Sequence, residues 1–349
     1  MTTSSQAGAE APAAGRRVTP TGRLVLPADA DRADWLTARR GGLGSSDMAA
    51  ILGISAYGNA LSVYHDKTGG LPLEGDDSEP ALWGRLLEET VAREWARRNR
   101  SVVQRVGLIA NIERPWQMCT LDRRVLRCPI SATTRERCAL EVKCRSAFKA
   151  GQWRTGCPDD VLAQVLHQED VAGYAHVHVA ALIGGNDYRQ FTVYRAEHEQ
   201  LLDDLRATGA RAWQQIVDRR PPVLPDSADP EVLLDLYEQL HPARAGDVFI
   251  DRDGDAQDAL ADYLDAGNDE RMARARKTAA KAKLVGALGA ADTAYLGGHI
   301  AYSYDETSRE YCDVARLREE HPAAYAACVE DRPGRRITIP KPVREAHQV

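Results

Sequence analysis

Apolar positions along residues 82–98 recur at helical spacing. Leu82, Leu86, Val91 and Trp95 form one stripe and arginines line the rest, which predicts a long amphipathic helix. Downstream the period changes. Residues 102–110, 118–127 and 138–145 are rich in Val, Ile, Leu and Cys with local alternation, so they read as strands. A helix follows over 159–174. Strands over 176–184 and 188–194 flank the turn Gly185-Asn186-Asp187, and a long helix covers 197–218. Upstream, a short helix over 35–40 ends in Gly41-Gly42-Leu43-Gly44. Ser45-Ser46-Asp47 then cap a helix over 48–52, and another helix covers 61–67. Residues 73–80 form an acidic loop.

Arg219-Arg220-Pro221-Pro222 stops the helix that precedes it, and a domain boundary is expected there. Three parts result: a flexible tail over 1–28, rich in Ala, Thr, Ser, Gly and Pro; a domain over 29–222; and an extension over 223–349. The extension reads as helices over 229–240 and 255–288, a hairpin from 298–304 and 311–314, short helices over 314–320 and 323–329, and a terminal strand over 335–339.

The 349 residues suffice for about two domains. No run of about 18 apolar residues occurs and the start lacks a secretory pattern, so a cytoplasmic protein without membrane attachment is expected. Seven cysteines are scattered with no C-x-x-C pair, which argues against a zinc ribbon or iron–sulfur cluster and for reduced thiols. The net charge of −6 speaks against nucleic acid, but its distribution does not. Residues 80–154 hold 16 Lys/Arg against 7 Asp/Glu, whereas residues 226–274 hold 4 against 14. A basic central block of this kind suits a polyanion.

That block carries the candidate chemistry. On a strand over 138–145, Glu141 and Lys143 share a face while Leu140, Val142 and Cys144 take the other. With Asp122 upstream, two carboxylates and an amine suit metal-assisted phosphodiester hydrolysis, although a solvated strand face has the same pattern. The glycine loop 41–47 suits an anion, with Ser45 and Ser46 as donors and Arg39 or Arg40 closing over it. Glu88 lies on the preceding helix as a further carboxylate. Gln164 and Gln168, four apart on a helix face beside His167, are able to orient water or a phosphate oxygen. Arg123, Arg124 and Arg127 either track backbone phosphates or decorate a hairpin. Two other motifs are set aside. Asp251-Arg252-Asp253-Gly254-Asp255 resembles a calcium loop but lacks its turn glycine and closing glutamate. His176-Val177-His178 offers no obvious third ligand, so its histidines read as ordinary strand residues.

Taken in order, R-R-G-G-L-G-S-S-D-M-A-A-I-L-G (39–53), W-G-R-L-L-E (83–88), L-D (121–122), L-E-V-K-C (140–144) and A-Q-V-L-H-Q (163–168) resemble the YqaJ viral recombinase family. This family is related to lambda exonuclease within the PD-(D/E)XK nuclease superfamily, and the resemblance covers residues 30–215. It implies an α/β fold: a three-layer restriction-endonuclease-like core, a mixed central sheet flanked by helices, with a helical and small α+β C-terminal extension. It implies a Mg²⁺-dependent exonuclease (Mn²⁺ able to substitute) that degrades duplex DNA from its ends, 5′ to 3′, in phage-type recombination. Carried over, Asp122, Glu141, Lys143 and Gln164 are catalytic, with Gln168 an alternative to Gln164. Glu88, Asp122 and Glu141 hold the metal. Arg39 and Ser46 hold the terminal 5′-phosphate, with Arg40 and Ser45 as the one-residue alternatives. Leu121 stands where the family often has proline. The resemblance also implies a homo-oligomeric ring and a single-strand annealing protein as partner. The competing readings are a structure-specific or restriction-like endonuclease, a nuclease serving a helicase partner, and a non-catalytic DNA-binding scaffold on the same fold.

Overall fold

The computed structural model describes residues 15–73, 78–130, 137–330 and 334–347. Positions 1–14 of the expected tail and 74–77 of the expected acidic loop lie outside them. Contacts divide the chain into two compact units, Met1–Arg244 and Ala245–Val349.

The first unit runs β1 (Gly22–Leu26), α1 (Arg32–Arg39), α2 (Ser45–Ile51), α3 (Ala60–Lys67), α4 (Glu79–Arg98), β2 (Val102–Gln104), β3 (Leu108–Asn111), β4 (Met118–Thr120), β5 (Arg123–Arg127), β6 (Cys138–Arg145), α5 (Asp159–Ala172), β7 (His176–Ile183), β8 (Asp187–Tyr194), α6 (Glu199–Val217) and α7 (Pro230–Leu240). Its main sheet has the order β2-β5-β6-β7-β8. Only the β6–β7 pair is parallel. A parallel pair requires a crossover, and α5 supplies it.

Helices cover both faces of this sheet, as the expected mixed α/β core requires. Val91, Ala92 and Trp95 of α4 pack on Leu140, Val142 and Ala180. Val161, Val165 and Leu166 of α5 pack on Ala139, Val177 and Val179 of the other face. Strand alternation thus sends Leu140 and Val142 to the α4 side. The α5 side receives the odd-numbered β6 positions, Glu141 and Lys143 among them.

A second sheet, β1-β3-β4, corrects three expectations. Residues 22–26 are not tail but a strand paired with β3. Thr21 anchors that strand: its Oγ1 donates to the Val171 carbonyl (2.9 Å) and its N–H to that of Ala172 (3.2 Å). These two carbonyls close α5, where Gly173 adopts φ 71°, a conformation that favours glycine. The expected single strand 102–110 is broken at Gly107, φ 98°, where a Cβ would meet the Leu26 carbonyl oxygen at 2.2 Å. The expected strand 118–127 is broken at Leu121-Asp122, so β4 joins the second sheet and β5 the first. Each run has strand composition throughout, but the chain changes sheets inside it. The break at 121–122 is what brings Asp122 to β6.

Beyond the Pro221-Pro222 break, α7 stays with the first unit, and its Leu236 is buried. The second unit holds α8 (Gly254–Leu288), β9 (Thr293–Leu296), β10 (His299–Ser303), α9 (Val314–Glu320), α10 (Pro322–Cys328) and α11 (Lys341–His347). The hairpin is β9–β10, not 298–304 with 311–314. Gly297 and Gly298, φ 57° and 81°, make the two-residue turn that a right-twisted hairpin favours. Residues 335–339, expected as a strand, form none. No helix among the described residues is long and apolar enough to cross a membrane.

Candidate active site

Glu141 and Lys143 project from β6 toward α5, which presents Gln164 and Gln168 one turn apart. The result is one hydrogen-bonded set. The Lys143 ammonium donates to Glu141 Oε1 and, at 2.7 Å, to Gln164 Oε1. The Gln164 Nε2 donates to the same Glu141 oxygen at 2.7 Å. The other Glu141 oxygen accepts from Gln168 Nε2, also at 2.7 Å. Glu141 is 1% exposed, so each of these bonds offsets part of the cost of burying a carboxylate. Gln164 and Gln168, alternatives in sequence, both hold Glu141. His167 does not join them: it is buried against the Met118 carbonyl (3.0 Å).

Asp122 enters from the turn between the two sheets, and its Oδ2 accepts the Val142 N–H at 2.7 Å. Its carboxyl lies well above the usual carboxylate range. Loss of solvent is the largest cause, followed by the charges of Glu141 and Glu88, while Lys143 and the Val142 N–H act in the opposite direction. The charges of Glu88 and Glu141 therefore both act on Asp122 here. Arg123 restrains Glu88. Buried at 2% exposure, its guanidinium pairs with Glu88 and, at 2.6 Å, with Glu89, and donates to the Asp122 carbonyl. This arginine is neither a phosphate tracker nor hairpin decoration but a buried clamp on the α4 carboxylates. Arg124 is bound to the Val18 carbonyl and Gln104, and Arg127 is exposed.

The donor set fits a divalent cation. It is all oxygen, which suits a hard ion, and the carboxylate repulsion that raises Asp122 is what a divalent charge relieves. Gln168 Oε1 is in addition a buried oxygen with no hydrogen-bond partner.

Around the 41–47 loop, Arg39 and Arg40 take different partners, and Ser45 and Ser46 differ in exposure. Arg39 Nη2 donates to Ser46 Oγ (2.9 Å) and to Asp47 Oδ1 (2.9 Å), and its guanidinium lies over the Trp35 ring at 5.5 Å. Ser46 is exposed while Ser45 is buried. Arg40 turns away to Asp66 (3.1 Å) and to the carbonyls of Leu71 and Pro72. Helix α2 starts one turn earlier than expected, at Ser45, and Asp47 caps it by accepting the Gly44 N–H at 2.8 Å. That carboxylate fills the place an anion would take on the backbone, leaving Ser46 and Arg39 as the outward-facing donors. Sequence patterning missed the next layer: Lys67 of α3, its side chain wholly buried, pairs with Asp47 Oδ2 at 2.8 Å. Burial alone would raise the Asp47 carboxyl, but Lys67 and Arg39 outweigh it and hold it far below the usual range. Ser46 and Arg39 open onto a cleft of about 810 Å³ that α7 borders through Val232, Asp235 and Gln239.

Comparison with known proteins finds similarity to the family that the five motifs resemble. Residues 34–175 match the YqaJ-like viral recombinase domain model. The uncharacterized protein YqaJ of Bacillus subtilis (strain 168) is 29% identical over 216 residues, 60% of this chain. The chain spans 65% of that relative's length. Among solved structures, the alkaline exonuclease LHK-Exo of Laribacter hongkongensis matches with a TM-score of 0.43 at 15% identity, covering 60% of this chain and 99% of that one. Its complex with dAMP matches with a TM-score of 0.43 at 16% identity over the same shares.

Proposed function

With a YqaJ-like viral recombinase domain over residues 34–175 as premise, we propose that the chain is a metal-dependent deoxyribonuclease that degrades linear duplex DNA from its ends, 5′ to 3′. The observation that carries this reading is the single hydrogen-bonded set of Glu141, Lys143 and Gln164 with Asp122 bound to the same strand. Asp122 and Glu141, with Glu88, would hold Mg²⁺ or, in its place, Mn²⁺. The bound cation supplies a water of lowered pKa and a Lewis acid for the phosphoryl oxygen.

The chain's own residues do the rest. Lys143 places a positive charge, only 13% exposed, beside the reacting phosphate and stabilises the charge that develops on it. Gln164 fixes that ammonium against Glu141, so no reorientation is needed as the reaction proceeds. Gln168 and the Val142 N–H fix the two carboxylates in the same way. Ser46 keeps its hydroxyl proton to donate while accepting from Arg39, and together they hold a terminal 5′-phosphate, which restricts cleavage to ends. The basic balance of residues 80–154 favours the approach of a polyanion. A homo-oligomeric ring around the DNA and a single-strand annealing partner belong to the same proposal.

The test uses Mg²⁺ with linear duplex DNA or covalently closed circles, and Lys143→Ala as control. Degradation of linear DNA alone, abolished in the variant, is the expected result. Nicking of circles would replace the exonuclease by an endonuclease. DNA binding with no hydrolysis of either substrate would leave a scaffold.

A further inference from the structure

On the sheet face opposite Glu141, the structure assembles a second constellation, one that the nuclease reading does not use. Cys128, just after β5, and Cys138, which opens β6, come together with His176 and His178 of β7. One ligand atom from each of the four lies within 4.8 Å of all the others. All four side chains are buried, Cys128 most exposed at 8%. Cys128 Sγ is 3.2 Å from His176 Nε2 and 3.5 Å from His178 Nε2.

Sheet register explains why they meet. Ala139 pairs with Val177 and Leu140 with His178 in the parallel β6–β7 ladder, which sets Cys138 beside His176. Positions 176 and 178 share a face because they are two apart on a strand, contrary to the expectation that they serve no common site. The missing third and fourth ligands were cysteines ten residues apart, far from any C-x-x-C spacing.

We infer that Cys128, Cys138, His176 and His178 form a closed, structural zinc site. A tetrahedral zinc with two thiolates and two imidazoles puts its ligand atoms about 3.3–3.8 Å apart, given bond lengths of about 2.3 Å to sulfur and about 2.0 Å to nitrogen. Cys128 Sγ, at 3.5 Å from His178 Nε2 and 3.2 Å from His176 Nε2, stands at or slightly inside the separation of about 3.5 Å expected between sulfur and nitrogen. Two sulfurs and two nitrogens suit zinc and not the hard cation favoured by the Glu88, Asp122 and Glu141 oxygens. Two thiolates and two neutral imidazoles also cancel a charge of +2, the condition for burying an ion among apolar side chains.

The surroundings agree with ligation. His178 Nδ1 lies 3.0 Å from Thr192 Oγ1, a contact that fixes the ring and turns Nε2 toward the sulfurs. The Trp95 ring packs on His178 at 4.9 Å between centroids, closing the α4 side. The site has four protein ligands and no open position, so its role is to tie Cys128, after β5, and Cys138, at the start of β6, to β7. β5 and β6, which follow Asp122 and carry Glu141, are thereby held in register.

The test measures metal content of the full chain expressed with zinc supplied and then dialysed against EDTA to remove loosely held Mg²⁺. The expected result is about one zinc per chain in the wild type and in Asp122→Asn/Glu141→Gln, and none in Cys138→Ser or His178→Ala. Cys144→Ser, altered on the same strand face but outside the constellation, retains it. Replacement by Co²⁺ in the wild type gives the strong visible bands of a tetrahedral ion and a thiolate charge-transfer band, a readout that does not depend on any variant folding. Zinc-free wild type is expected to melt at least about 10 °C lower. Wild type that binds no zinc, or gives cobalt spectra without the thiolate band, overturns the inference. Zinc lost from the carboxylate variant but kept in Cys138→Ser, a Cys128–Cys138 disulfide, or an iron–sulfur spectrum does the same.

Discussion

The Lys143 ammonium and the Gln164 side-chain carbonyl lie 2.7 Å apart, with Glu141 bound to both partners. Gln164 is thus a strut from α5 to Lys143 and Glu141 of β6. Lys143→Ala is expected to reduce the rate of linear DNA degradation by at least about 10³-fold, because it removes a charge that acts on the transition state. Gln164→Ala leaves the charge but frees its position, and about a 10-fold to 100-fold loss in kcat with little change in KM is expected. Single-turnover rates on a duplex of defined length, with DNA binding measured in parallel, separate the two. A KM effect alone from Gln164→Ala would mean that this residue binds substrate instead.

Ser46 and Arg39 are proposed to select ends carrying a phosphate. Wild type should degrade 5′-phosphorylated duplex at least about 10-fold faster than 5′-hydroxyl duplex, and Ser46→Ala should bring that ratio toward one. Ser45→Ala, buried beside it, should not. An unchanged ratio in Ser46→Ala would remove this pair from end recognition.

Asp47 connects the 41–47 loop to the core. Removing its carboxylate takes from Lys67, whose side chain has no solvent exposure, its shortest ion pair, leaving it the longer one to Asp66 (3.4 Å) and the Arg39 carbonyl (3.2 Å), and it breaks the Arg39 ion pair. Asp47→Ala is expected to cost about 3 kcal/mol of stability in urea unfolding. The double variant Asp47→Ala/Lys67→Met should recover much of it, since it leaves no buried charge without a partner. A double variant no more stable than the single one would show that the aspartate acts by capping Gly44.

Glu169 gives a pH dependence. Both of its carboxylate oxygens are buried, and burial pushes its pKa up to about 9 from an ordinary 4.5, outweighing the opposing effects of Arg195 and the Val177 N–H. The folded chain therefore keeps a proton that the unfolded chain releases. The associated stability is fully present below pH 4.5 and declines as the pH rises toward 9. Glu169→Gln removes that slope. Between pH 6 and pH 8.5, wild type is expected to lose about 1 kcal/mol or more relative to the variant, read from urea midpoints. Parallel slopes for the two proteins would mean that Glu169 is ionised in the fold.

Much of this protein is written locally. The alternation of β6 sets Glu141 and Lys143 on one face, the four-residue spacing on α5 sets Gln164 and Gln168 on another, and both periods follow from backbone geometry alone. The five motifs in order pointed to the family that residues 34–175 match. Tertiary structure decided what depends on elements distant in the chain. Gly107 and the Leu121-Asp122 step divert strand-like runs into different sheets, because close approach to Leu26 and the demands of two cores outweigh local propensity. Pairing of charges set Arg39 on Asp47, Arg40 on Asp66 and Arg123 on Glu88, and joined Asp47 to Lys67. Parallel pairing of β6 with β7 drew together two cysteines and two histidines that no linear spacing unites, since register between strands is a property of the folded sheet and not of either strand.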